Sequence, residues 1–281
     1  RQKRFDSTTK QIIYSVEEFG KQSSPDVTVG IAPHSLRAVD PGALKELIAA
    51  VPRTAPIHIH AAEQTKEVDE CKAALGKRPV EWLLENCNVD SRWCLVHATH
   101  MTLEETAALA SSGAVAGLCP TTEGNLGDGI FPLAAYRAAG GRFGIGGDSH
   151  VSRDPVEELR LLEYVQRLTA RRRNLAVGKV SSAVGTTLWL EAAAGGAQAI
   201  GRHMGSIAPG MRADLVVLDP SHPDFSGHSG DAISNALVFS GASNATSDVM
   251  VAGRWIVRDR AHPAEAPATR GYKTVIQELL R

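Results

Sequence analysis

Strand-like and helix-like patterns alternate five times between residues 27 and 165, and this constrains the fold more than any other feature of the chain. Short apolar runs fall at Val27–Ala32, Ile57–His60, Trp93–His97, Ala114–Leu118 and Arg142–Gly147. Stripes at helical spacing lie between and after them: Leu44, Leu47, Ile48 and Val51; Val80, Leu83, Leu84 and Cys87; Leu103, Ala107 and Ala110; Val156, Leu159, Leu162 and Val165. Helix starts are marked by Asp40-Pro41, Asp154-Pro155 and a capping box at Thr102–Glu105. Runs this continuously apolar need cover on both faces, so a parallel sheet with outer helices is expected. Its first and last strands, Val27–Ala32 and Arg142–Gly147, are expected to be bare edges.

From Gly205 the texture changes. A turn at Gly205–Gly210, a strand at Ala213–Asp219, a hairpin around Ala252-Gly253 and a terminal helix at Tyr272–Leu280 predict a small β appendage. Residues 1–204 therefore form the expected α/β unit and residues 205–281 a separate C-terminal segment.

Composition removes some functional classes. Lys and Arg number 30 against 31 Asp and Glu, so no basic field exists to hold nucleic acid. No apolar run has membrane-spanning length, and no partner membrane is expected. The four cysteines, Cys71, Cys87, Cys94 and Cys119, form no Cys-x-x-Cys pair and sit among apolar residues. They read as free buried thiols of a reducing, cytoplasmic setting.

Polar residues gather where the apolar runs end. His34 and Arg37 follow the first, and His60 and Glu63 the second. His97 closes the third, the polar run Thr121–Pro132 follows the fourth, and Asp148 and His150 follow the fifth. In a βα barrel these strand ends share one face, where such folds place their sites. Two histidines at i and i+2, His58 and His60, share one face of their strand, with the deeper His58 read as packing. A histidine with a carboxylate three residues on suits a hydrolytic metal site, and Arg37 suits a carboxylate-bearing small molecule.

These residues resemble the amidohydrolase superfamily. His60 with Glu63, then His97, then Asp148 match the later part of its signature, and Gly205–Asp219 resembles its β-sandwich. The runs Ala32–Arg37, His58–Gln64, Val96–His100, Cys119–Pro132 and Gly147–His150 are similar, more narrowly, to the formimidoylglutamate deiminase family. The resemblance implies a (β/α)8 barrel of TIM type with strands four to eight present here, and a remnant of a C-terminal β-sandwich. It implies one catalytic zinc ion, with His60 and Asp148 as ligands. Glu63 and His97 would be the acid/base and water-orienting groups, while His34 and Arg37 would hold the glutamate part of a substrate. A homodimer is the expectation by resemblance.

One departure stands out. The superfamily's first strand carries a His-x-His pair of zinc ligands, and no such strand precedes Val27. The chain is expected to be N-terminally shortened and, alone, inactive. Deamination of a purine or pyrimidine by a related amidohydrolase, or a non-catalytic scaffold role, are the competing expectations.

Overall fold

The computed structural model describes residues 6–22, 24, 26–178, 181–241 and 244–281. Helix α1 (Thr9–Gly20) and helix α2 (Pro41–Ala50) come first, followed by strand β1 (Ile57–Ala61). Then come α3 (Thr65–Leu75), α4 (Pro79–Asn86), β2 (Trp93–His97), α5 (Leu103–Ser112) and β3 (Val115–Leu118). The chain continues through α6 (Pro120–Leu126), α7 (Leu133–Ala138), β4 (Arg142–Ile145), α8 (Pro155–Ala170) and α9 (Val184–Ala199). The last part holds β5 (Leu215–Leu218), α10 (Asp231–Phe239), β6 (Thr246–Val251), β7 (Arg254–Val257) and α11 (Glu265–Leu279).

Strands β1 to β4 make one parallel sheet in chain order. Register puts Ile57, Ile59, Trp93, Leu95, Ala116, Leu118 and Phe143 on one face. All seven are buried and pack against α2, α4, α5 and α8 through Leu44, Leu83, Leu109 and Leu159. Burying each large aliphatic side chain is worth about 1.5–3 kcal/mol, so this layer fixes the register. The opposite face carries His58, His60, Cys94, Val96, Val115, Gly117 and Gly144. Strands β5, β6 and β7 form a separate antiparallel sheet.

Two expectations need correction. The first apolar run is not a sheet strand: Ile31 and Ser35 make isolated parallel bridges to Ile57 and His60. Pro33, between them, has no N–H to give a ladder, so only scattered bonds such as His58 N–H to the Ile31 carbonyl survive. The observed parallel sheet thus has four strands rather than five. The edge at β4 is not bare either. Helix α9 runs along it, with Leu188 and Ala192 joining the outer core and Ala199 the opposite face. Gly195 permits the approach, since a Cβ there would lie 1.9 Å from the Phe143 carbonyl oxygen.

The run Thr121–Pro132, read from sequence as a loop, is helical over its first half. Pro120 occupies the first turn of α6, and Gly127, at φ 72°, takes the left-handed C-cap. All four cysteines are free and buried. Among the described residues no helix is long and apolar enough to cross a membrane.

The packing of α9 separates two adjacent glycines. Gly195→Ala should destabilise the chain by about 1–3 kcal/mol through overpacking. Gly196→Ala, whose Cβ meets nothing within 4 Å, should be neutral or stabilising by up to about 1 kcal/mol. Urea unfolding of both variants measures the difference, and equal effects would contradict this placement of α9.

Candidate active site

The strands end in backbone that ordinary residues avoid. Ala62 (φ 52°) follows β1, His97 (φ 67°) and Ala98 (φ 48°) close β2, and Asp148 (φ 41°) follows β4. Left-handed backbone at non-glycine residues costs roughly 1–3 kcal/mol each and needs surrounding bonds to hold it. Buried carboxylates provide them. Glu67, 1% exposed, accepts the N–H of Ala62 at 3.1 Å and of Glu63 at 2.8 Å. Glu123 Oε1 accepts the N–H of Cys119 at 2.9 Å and lies 3.2 Å from His97 Nδ1.

Five of the six expected residues converge at the ends of β1 and β2. Glu63 is their centre: its Oε2 accepts from Arg37 Nη2 at 2.7 Å, and its Oε1 stands 3.7 Å from His97 Nε2. The His60 ring stacks on that of His34, centroids 4.8 Å apart, and lies 5.5 Å from that of His97. His60 Nδ1 donates to the His34 carbonyl at 2.9 Å, which leaves Nε2 as the open nitrogen. Asp148 is exposed on the turn after β4; its negative charge reaches His97, with no direct bond between them. His58 belongs elsewhere, with Nε2 2.7 Å from the Ala199 carbonyl.

Charge tuning follows from these neighbours. Burial pushes the His34 imidazole below its ordinary pKa, with His60 and Arg37 adding to the effect. Burial opposes the charged form of His97 too, but the hydrogen bond and charge of Glu123, with Glu63 and Asp148, raise its pKa overall. The run Thr121–Pro132 supplies more anchors than its sequence advertises. Gln64 Nε2 donates to Asp128 Oδ1 at 2.8 Å, and His100 Nε2 lies 2.6 Å from the Asp128 carbonyl.

Sequence reasoning missed Glu67, Glu123 and Asp128 as site supports. Glu67 sits in a helix start that reads as a solvated face, four residues past Glu63. Only the polar density of Thr121–Pro132 signalled the other two. A cavity of about 820 Å³ lies at the opposite end of β1, lined by Gly30, Pro56, His58, Ile200, Val216 and Met250 among others. None of the six expected residues lines it.

A resident metal can be tested against these donors. A ring nitrogen tied to a backbone carbonyl, with the other left open, is how proteins orient metal-binding histidines, and His60 has that arrangement. An imidazole and a carboxylate suit zinc in kind. They do not suffice in number: among the described residues no group of three or more His, Cys, Asp or Glu could hold a metal ion.

Residues 2–256 match the model of the amidohydrolase family. The chain belongs to that family. It is 54% identical over 253 residues to formimidoylglutamate deiminase of Pseudomonas aeruginosa, covering 90% of this chain and 56% of the relative. It is 33% identical to 8-oxoguanine deaminase of the same organism, over 84% of this chain and 51% of the relative. A solved amidohydrolase from Brucella melitensis aligns with all of this chain and 62% of its own, at 42% identity and a TM-score of 0.94. The chain thus spans about half the length of the curated relatives it matches.

Two expected outcomes follow from the buried carboxylates. Glu67→Ala, which strands two N–H groups, should cost about 2–4 kcal/mol by urea unfolding; a loss under ~0.5 kcal/mol would contradict the anchoring role. Burial raises the Glu158 carboxyl above its ordinary pKa, and hydrogen bonds from Thr121 only partly offset this. A raised carboxyl favours folding at low pH, and that contribution is lost as pH rises through the folded pKa. Glu158→Gln gives up one of the two oxygens that accept from Thr121, so it should be less stable than the parent at pH 4, with the deficit shrinking as pH rises to 7; a deficit that grows with pH would contradict the assignment.

Proposed function

We propose that this chain forms part of a zinc-dependent enzyme that hydrolyses N-formimino-L-glutamate to N-formyl-L-glutamate and ammonia, a step of histidine degradation. The observation that carries this reading is Glu63, with one oxygen on Arg37 and the other facing His97. The 54% identity to a formimidoylglutamate deiminase supports it. The four parallel strands would be part of a (β/α)8 barrel, completed by the further length that the relatives carry.

His60 and Asp148 would hold the zinc together with ligands from that further length, and the ion would polarise the substrate and acidify water. Arg37 receives one substrate carboxylate on its planar fork, with His34 beside it. That carboxylate competes with Glu63 for the guanidinium and frees Glu63 to meet the imine nitrogen. Asp148 takes a proton from the attacking water, and His97 Nε2 orients that water toward the formimino carbon. The formimino group is basic and arrives as its cation, and the freed Glu63 carboxylate takes one of its N–H protons. Glu63 returns that proton to the imine nitrogen as the carbon–oxygen bond forms. The proton held on Asp148 then passes to the same nitrogen, ammonia leaves, and the hydroxyl proton goes through Glu63 to the departing ammonia. Arg37 favours an acidic substrate over a purine or pyrimidine base.

The test is ammonia release by the zinc-loaded full-length protein, offered N-formimino-L-glutamate, guanine and cytosine separately. Turnover of the first alone is expected, and faster release from either base would overturn the reading. Glu63→Gln should lower kcat by about 10²–10⁴-fold, whereas Arg37→Met should act mainly on KM. Full turnover by Glu63→Gln would remove its role as the acid.

A further inference from the structure

Thr121, Thr122 and Glu123 are consecutive on the first turn of α6, and each binds a different element. All three are buried, at 7%, 0% and 4% exposure. Three buried polar side chains in a row are costly unless each finds partners. The Thr121 hydroxyl donates to Glu158 Oε1 at 2.6 Å and its N–H to Glu158 Oε2 at 2.9 Å, which pins the turn to α8. The Thr122 hydroxyl donates to the Gly147 carbonyl at 3.2 Å. It also accepts the Ser149 N–H at 3.2 Å and lies 2.9 Å from Ser149 Oγ. Those groups bracket Asp148 on both sides. Glu123 reaches the other way, to His97.

The placement explains why one turn can do this. It begins at the end of β3, which lies between β2 and β4. His97 ends β2 and Asp148 follows β4, both with left-handed backbone. Glu123 Oε1 also accepts the Cys119 N–H, so it is an acceptor and His97 Nδ1 must carry the proton. His97 then presents an unprotonated Nε2 toward Glu63 whenever the ring is neutral.

We propose that Thr122 and Glu123 are positioning residues for the hydrolysis. Glu123 locks His97 in the Nδ1–H tautomer with Nε2 facing Glu63, and Thr122 clamps the turn that presents the Asp148 carboxylate. Their part in turnover rests on the function proposed above; the locked tautomer does not.

Two readouts on the full-length zinc-loaded protein test this. The first is the ¹⁵N–¹H imidazole spectrum of His97, taken above the imidazole titration range. The Nδ1–H form is expected in the parent and in Glu123→Gln, which keeps an acceptor, and is lost in Glu123→Ala. An Nε2–H form in the parent, or an unchanged tautomer in Glu123→Ala, overturns the assignment to Glu123. The second is steady-state deimination. Thr122→Val and Glu123→Ala should lose about 10–100-fold in kcat with KM within threefold of the parent, while Thr122→Ser and Glu123→Gln recover most of it. Unaltered kcat in both disruptive variants, or no recovery by the conservative ones, overturns the positioning role. If the parent releases no ammonia at all, the proposed reaction falls, and the imidazole spectrum still decides whether Glu123 holds His97.

Discussion

A buried glutamate that accepts backbone N–H groups is the interaction on which the strand-end face depends. Glu67 holds the turn after β1 through Ala62 and Glu63, and Glu123 holds the turn after β3 through Cys119. Glu105 accepts the Thr102 and Glu81 N–H groups and the Arg78 guanidinium. Glu158 takes Thr121, and Glu163 takes Leu175 and Ala176. Each of these carboxylates is at most 6% exposed. A charged acceptor makes stronger hydrogen bonds than a neutral one, roughly twice as strong. Loops that would otherwise relax are thereby fixed, including those with left-handed backbone at His97 and Ala62.

Rigid turns matter because Glu63 and Asp148 sit on them, while His60 and His97 lie at the ends of β1 and β2. Parallel register fixes the ends of β1 and β2 beside each other, with Ala61 opposite His97. The turn after β1 then brings Glu63 Oε1 to 3.7 Å from His97 Nε2. Arg37 joins from a segment that is tied to β1 by backbone bonds on either side of Pro33. A one-residue slip in β1 would send His60 to the helix-covered face, so the apolar layer of Ile57 and Ile59 also sets the site.

Much of this was legible in the sequence because the local signals were strong. Apolar runs bounded by helix caps marked four of the strands, and polar residues at their ends marked Glu63, His60 and His97. Less legible were features decided by tertiary contact. Pro33 reduced an apolar run to isolated bridges, which no periodicity reveals. Gly195 looks like a weak point in an alanine-rich helix, yet it lets α9 close the edge of β4. Glu105 was legible only as half of a capping box and Glu123 only as part of a polar loop, since sequence spacing carries no record of which strand end lies opposite.

His60 joins the two halves of this picture, because its ring is oriented by the His34 carbonyl and its open nitrogen is the one the proposed zinc site would use. Anomalous diffraction at the zinc edge, from crystals of the full-length protein, tests that most directly. The expected result is a zinc ion within about 2.0–2.2 Å of both His60 Nε2 and an Asp148 oxygen. Zinc bound to the buried cysteines, or a loaded enzyme in which His60 makes no contact with the metal, would contradict it.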